Sequence, residues 1–338
     1  MDAVATLREI AFWLEREQAS TYRVEAFRTA ANVLSSLTPA EIEQRTRAGS
    51  LKRLKGLGPR TVGVVQEVVN GEIPSYLADL RERGAAPLAE GGEPLRSQLR
   101  GDLHLHSDWS DGGSPIEEMV RIGRRLDREY LALTDHSPRL TVANGLSPER
   151  LREQLEIVAE VDESTEDMAL LSGIEVDILD DGGLDQEDEL LARLDVVVAS
   201  VHSQLRMDSG PMTRRMRRAV EHPRTRILGH CTGRLVTGGR GTRPPSEFDA
   251  RAVFEACAEH DVAVEINARP ERQDPPDELI AIALDAGCLF SIDSDAHAPG
   301  QLDFLDYGAA RAVACGVPAE RIVTTWPLDR LLPWLRRE

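Results

Sequence analysis

Six of the eight histidines close short apolar runs, and three carboxylates stand among them. His104 and His106 end the run 102–106, with Asp111 following in the turn SDWSDGG. Asp135-His136 ends the second run, Glu175 lies in SGIEVDI, His202 in ASVHS and His230 in LGHCTGR. Asp295-Ala296-His297 ends the last. Imidazole and carboxylate together are donors for zinc, manganese or iron. In an H-x-H pair on a strand both rings point to one side, because side chains alternate with period two, and Asp295 and His297 repeat that spacing. Such groups repel when ionised and lose solvation when buried unless a cation sits among them. Nine donors exceed the four or five that a zinc-like ion takes, so two or three ions are expected. His222 and His260 lie in helical segments and read as ordinary histidines.

Seven apolar runs must bring these residues together: 102–106, 130–135, 169–178, 196–202, 227–230, 262–268 and 289–295. Helical patterns intervene, for example at 147–163, 247–260 and 276–286, which is the mark of repeated β-α units. Seven units suit a closed parallel barrel, whose C-terminal strand ends all open on one face. Before residue 86 apolar residues recur at spacings of three and four, from Val4, Leu7, Ile10 and Leu14 to Phe27, Ala31 and Leu34, predicting an all-helical module of about four helices. The expected division is a helical domain over 1–85, a Gly/Pro/Ala-rich linker over 86–99 and an α/β domain over 100–338.

Of the 338 residues 41% are hydrophobic and 29% charged, as in a globular chain with real cores. At 4%, aromatics are too scarce for base stacking to be the main mode of recognition. Cys231, Cys257, Cys288 and Cys315 form no CxxC pair, which excludes a zinc ribbon and predicts buried thiols in a reducing compartment. A charged N-terminus and the lack of an 18-residue apolar run predict neither signal peptide nor membrane span, hence a cytoplasmic protein. Residues 1–100 carry 14 basic and 13 acidic side chains, leaving 26 basic and 45 acidic in the remainder. The whole acidic excess therefore lies in the α/β part. Arg45, Arg47, Lys52, Arg53, Lys55 and Arg60 form a run free of acidic residues that a polyanion could approach.

The motifs GDLHLHSDWSDG, LTDHS, GIEVDIL, ASVHS, GHCTGRL and SDAHAP resemble those of the polymerase and histidinol phosphatase (PHP) domain. The similarity is greatest to the PHP module of bacterial family X DNA polymerases. It implies a distorted, TIM-like seven-stranded β/α barrel holding three divalent ions. The first would lie among His104, His106, Glu175 and Asp295. The second would share Glu175 with His202 and His230, and the third would take Asp111, His136 and His297. Cys231 departs from the proline expected after His230. The N-terminal module resembles the helical lyase domain of the same polymerases. Its Leu54-Lys55-Gly56-Leu57-Gly58-Pro59-Arg60 reads as a helix-hairpin-helix turn, followed by a helix over 61–69. Lys52, Arg53, Lys55, Gly56, Gly58 and Arg60 would hold DNA by its backbone without reading sequence. The Schiff-base lysine of lyase-competent members would fall at 63–65, where none stands, so no lyase activity is expected. No palm lies between the modules, so no polymerase activity is expected either, and a separate polymerase or repair protein is a possible partner.

The expected chemistry is metal-dependent hydrolysis of phosphate esters, with Mn²⁺ as an activating ion and Zn, Mn or Fe as resident ions. Glu175 and Asp295 would hold the reacting ions, and Arg234, with Arg139 as a further candidate, would contact phosphoryl oxygens. The leading expectation is a DNA 3′–5′ exonuclease or 3′-end-processing enzyme of DNA repair. The alternative is a phosphomonoesterase for a small metabolite such as histidinol phosphate or a nucleotide, which the acidic balance of the α/β part favours. A third reading makes the barrel a metal-bound platform without activity.

Overall fold

The computed structural model describes residues 1–239 and 241–337. The chain divides into two compact units, Met1–Pro87 and Leu88–Glu338.

The first unit is helical: Ala3–Arg16, Thr21–Ser35, Pro39–Arg47, Pro59–Val69 and Ser75–Arg83, with a short 3₁₀ turn at Leu51–Arg53. Leu7, Ile10, Leu14, Phe27, Ala31 and Leu34 recur at helical spacing and form its core with Val64, Val65 and Leu77. Thr38 and Glu41 cap the third helix reciprocally, which fixes where it begins.

The second unit carries seven strands: β1 (Gly101–Leu105), β2 (Tyr130–Leu133), β3 (Ala169–Asp177), β4 (Val196–Ser200), β5 (Ile227–Leu228), β6 (Ala263–Asn267) and β7 (Phe290–Asp293). They pair in parallel in sequence order. The Leu105–Ala296 bridge, with His106 N–H donating to Ala296 O (2.8 Å), brings the last strand's end back to the first. The seven β-α units of the sequence thus form the expected, nearly closed barrel. Alternation along the strands sorts their side chains. Val196, Val198, Ile227 and Ala263 join an inner cluster closed at the base by Val323, Trp326 and Leu331. Val197, Ala199, Val264 and Ile266 face the outer helices with Val253, Phe254 and Ile280. By register, Glu175 pairs with Val198, so it belongs to the inward set near the strand's C-terminal end.

The stretch expected to be a linker contains the helical turn Glu93–Arg96, and Leu95 and Leu99 are buried in the second unit's core. Asp306 explains the order: it accepts from Leu88 N–H (2.8 Å) and Arg96 Nε (2.9 Å). No helix among the described residues is long and apolar enough to cross a membrane. Cys231, Cys257 and Cys288 are buried free thiols and Cys315 is half-buried.

Candidate metal centre

All nine side chains picked from the sequence meet at the C-terminal end of the barrel, with Glu175 at the centre. Its Oε1 lies 3.2 Å from His202 Nε2 and 2.8 Å from His230 Nε2. Its Oε2 lies 3.4 Å from His104 Nε2, 3.6 Å from His106 Nε2 and 2.9 Å from His136 Nδ1. His106 Nε2 is also 3.4 Å from Asp295 Oδ1. Asp111 Oδ1 sits 3.4 Å from His136 Nε2 and 3.3 Å from His297 Nε2.

Short donor distances also run between the three expected sets. His106 groups with Asp111, His136 and His297 as well as with His104 and Glu175, and His136 also groups with Glu175 and His202. The closeness of the rings explains this: the His106 ring centroid is 4.4 Å from that of His136 and 4.2 Å from that of His297. Access is from the Asp111 side. Asp111 and His297 side chains are 35% and 20% exposed, whereas those of His104, His106 and Glu175 are fully buried.

Carboxylates behind the rings aim them. His104 Nδ1 lies 2.5 Å from Glu265 Oε1, and His202 Nδ1 contacts Asp177 Oδ1. A proton donated outward at Nδ1 leaves the Nε2 lone pair facing inward, the tautomer a metal ligand needs. Glu265 also accepts from His230 N–H (2.5 Å) and Asn267 Nδ2 (3.1 Å). Asp135 accepts from Ser107 N–H and Oγ–H, Ser110 Oγ–H and Gln154 Nε2, and so pins the turn that carries Asp111. Asp295 adopts the left-handed region (φ 49°), held by Arg272 Nε (3.0 Å) and Asn267 Nδ2 (3.1 Å). At Gly229, beside His230, a Cβ would fall 2.3 Å from Ser200 Oγ, so only glycine lets that strand end approach.

The centre has the signature of a cation site. Buried polar atoms are nearly always hydrogen-bonded, yet Nε2 of His104, His106, His202 and His230 and both Glu175 oxygens have no such partner. Burial works against charge throughout; the surrounding groups overcome it at Glu175 and His136 but not at His106. Glu175 is held well below the usual carboxylate range by His202, His104, His136 and His230. Glu175 and Asp111 raise His136 to about 10. Burial, reinforced by His297 and His136, pushes His106 down to about 3. The carboxylates thus draw protons onto some rings in place of a cation. These protons must leave before a ligand nitrogen can bind, so metal affinity should fall with falling pH and loading at pH 7 should release protons. A weakly buffered calorimetric titration measures that release; an affinity unchanged between pH 8 and 6 contradicts it.

Sequence reasoning missed Glu265, Asp177, Arg269 and Arg272. Glu265 could have been found as the one acid in the otherwise apolar or amide strand AVEIN, and Asp177 by its two-residue offset from Glu175. Glu265→Gln should weaken metal binding by about 10- to 100-fold while the circular dichroism spectrum stays unchanged. Binding unaltered by the substitution would remove Glu265 from the site.

Arg234 is placed otherwise than expected. Its Nε donates to Arg272 O (3.1 Å) and its Nη2 to Gln273 O, because Asp274 and Thr232 draw its backbone N–H back onto that loop. Arg139 pairs with Asp180 at the surface (3.5 Å). The arginines that face the cluster are Arg269 and Arg272. Cys231, next to His230, is buried in the core facing the outer helices, its Sγ 4.0 Å from Asp274 Oδ1.

In the first unit Lys52, Arg53, Lys55, Gly56, Gly58 and Arg60 are all exposed: Lys52 and Arg53 in the 3₁₀ segment, Lys55, Gly56 and Gly58 on the turn after it, and Arg60 in the first turn of the helix Pro59–Val69. Gly56 has φ 98°, and a Cβ there would approach Thr29 Cγ2 to 2.8 Å, so the turn requires glycine. The Gly58 N–H donates to Thr61 Oγ1 (3.0 Å). Arg60 lies over the Tyr76 ring, 4.9 Å from its centroid.

Residues 102–269 match the PHP domain and residues 1–72 a helix-hairpin-helix domain. The chain is 35% identical over 240 residues, 71% of its own length, to the DNA polymerase/3′-5′ exonuclease PolX of Bacillus subtilis, of which it spans 41%. It is 27% identical to the probable phosphatase YcdX of Escherichia coli (strain K12), covering 69% of this chain and 93% of that protein. The histidinol phosphate phosphatase of Lactococcus lactis, solved with zinc, L-histidinol and phosphate, is 17% identical with a TM-score of 0.45, covering 64% of this chain and 92% of that one.

Proposed function

The chain carries a PHP domain behind an N-terminal helix-hairpin-helix domain, and from that premise we propose that it is a metal-dependent phosphoesterase that trims or unblocks DNA 3′ ends. The observation that carries the reading is the nest of inward-facing imidazole nitrogens around Glu175, left without hydrogen-bond partners. His104, His106, Glu175 and Asp295 are assigned to one divalent ion, Glu175, His202 and His230 to a second, and Asp111, His136 and His297 to a third. Bound there, Zn, Mn or Fe ions would supply Lewis acidity, activating water near neutral pH and compensating phosphoryl charge. The chain's own part is orientation. Glu265 and Asp177 hold ring tautomers, Asp135 holds the Asp111 turn, and Arg272 holds Asp295.

The choice of DNA rests on the exposed cations of the first unit and on the exonuclease named among the relatives. The second reading, a small-molecule phosphomonoesterase, is favoured by the acidic balance of the second part, which repels a long polyanion, and by the phosphatases among the relatives. One assay separates them. With Mn²⁺ and a 5′-labelled strand or nicked duplex, the DNA reading expects a ladder of shortened products. Intact DNA with fast phosphate release from histidinol phosphate or nucleotides selects the second. Replacing Lys52, Arg53, Lys55 and Arg60 with alanine should weaken DNA binding and lower the log–log salt slope by about one for each DNA phosphate no longer neutralised. Hydrolysis of a chromogenic monoester should be spared; equal loss on both substrates would remove the first unit's assigned role.

A further inference from the structure

Resting on the phosphoesterase reading, we infer that Arg269 is the side chain that grips the substrate's phosphoryl oxygens at the mouth of the site. A cavity of about 250 Å³ opens beside the cluster, lined by Asp111, His297, Arg269, Glu271, Thr237 and Leu235 among others. Asp111 and His297 are the two assigned ligands that are most exposed there, so this is the side from which an ester reaches the ions.

Arg269 is anchored on one edge. Its Nε donates to Glu271 Oε1 (2.8 Å), its Nη2 lies 2.6 Å from the same oxygen, and its Nη1 donates to Asp295 O (3.2 Å). Nη1 also stands 2.8 Å from His297 Nδ1, while that nitrogen has a second neighbour, Asp295 O, at 2.9 Å. Those two contacts of Nδ1 exclude each other: it accepts from the guanidinium or donates to the carbonyl. A histidine that ligates through Nε2 carries its ring proton on Nδ1 and must donate it. Asp295 O is then the acceptor, and the guanidinium loses its partner on the ring. The Nη1 N–H released from the ring and the second N–H on Nη2 are then both unspent, on a side chain that Glu271 holds in place. Two parallel donors on a fixed plane match two oxygens of a phosphoryl group. Arg234 and Arg272 cannot serve in this way, since Arg234 is spent on two backbone carbonyls and Arg272 is buried away from the residues that line the cavity.

The test uses the Mn²⁺-loaded full chain, p-nitrophenyl phosphate as substrate, inorganic phosphate as competitive inhibitor, and metal content by plasma mass spectrometry. Arg269→Met should raise the inhibition constant of phosphate at least tenfold with metal content unchanged, and Arg269→Lys, which keeps charge but not the fork, should recover only part. An inhibition constant within twofold of wild type overturns the assignment. So does a parallel loss of metal, which would make Arg269 a positioning residue for His297. Should Arg269→Met fail to fold, Glu271→Gln releases the anchor while keeping the guanidinium, and an unchanged inhibition constant there also overturns it. A wild-type protein that hydrolyses no ester and binds no phosphate defeats the phosphoesterase reading itself, whereas an active, phosphate-inhibited wild type with an indifferent Arg269→Met defeats only this inference.

Discussion

Glu175→Ala is expected to lower phosphoester hydrolysis by about 10³-fold or more, the equivalent of roughly 4 kcal/mol of transition-state stabilisation. Five histidines lie within 3.6 Å of its two oxygens, so no other single side chain touches as much of the site. Glu175→Gln is the sharper form of the experiment. It keeps shape and volume but removes the negative charge and replaces one ligating oxygen with an amide N–H₂ group that cannot bind a metal ion. Steady-state kinetics with saturating Mn²⁺ measures the loss, and circular dichroism checks the fold. A glutamine variant within tenfold of wild type would show that Glu175 does not bridge the ions.

Removing the ions should also destabilise the second unit. A ligand that binds only the folded state stabilises it by about 2.7 kcal/mol at 100 times its Kd. For a unit of this size 1 kcal/mol moves Tm by roughly 2–4 °C, so chelation should lower Tm by roughly 5–10 °C per ion so bound. The buried acids and imidazoles that a cation reconciles must then be satisfied by protons instead. Scanning calorimetry with and without EDTA reads the shift, and Glu175→Ala should show a much smaller one. A wild-type shift below about 1 °C would mean that the fold does not depend on the cluster.

The barrel and the convergence of the nine side chains were legible because strand ends in a parallel barrel converge by topology, not by detail. Once 102–106 and 289–295 are first and last strands, His106 and His297 must be neighbours. What stayed hidden depends on loops whose course no periodicity encodes. Arg234 reads as a phosphate ligand from its place in GHCTGRL, but its guanidinium is taken up by the carbonyls of Arg272 and Gln273. Glu265 escapes notice because its strand ends in Asn267-Ala268 without a histidine, although its register turns it inward beneath His104 and His230. The fifth run, 227–230, forms only a two-residue strand, since His230 leaves the ladder to enter the site. Between 86 and 99, glycine and proline suggest a free linker; Asp306, more than 200 residues away, orders part of it.

The most direct test of the central claim is an anomalous-scattering map of crystals grown with Mn²⁺, paired with metal analysis of the same protein. The account predicts separate peaks within the nest bounded by His104, Asp111, His230 and His297, up to three per chain, with Glu175 touching at least two of them. Density at no more than one position, or ions bound away from Glu175, would contradict it.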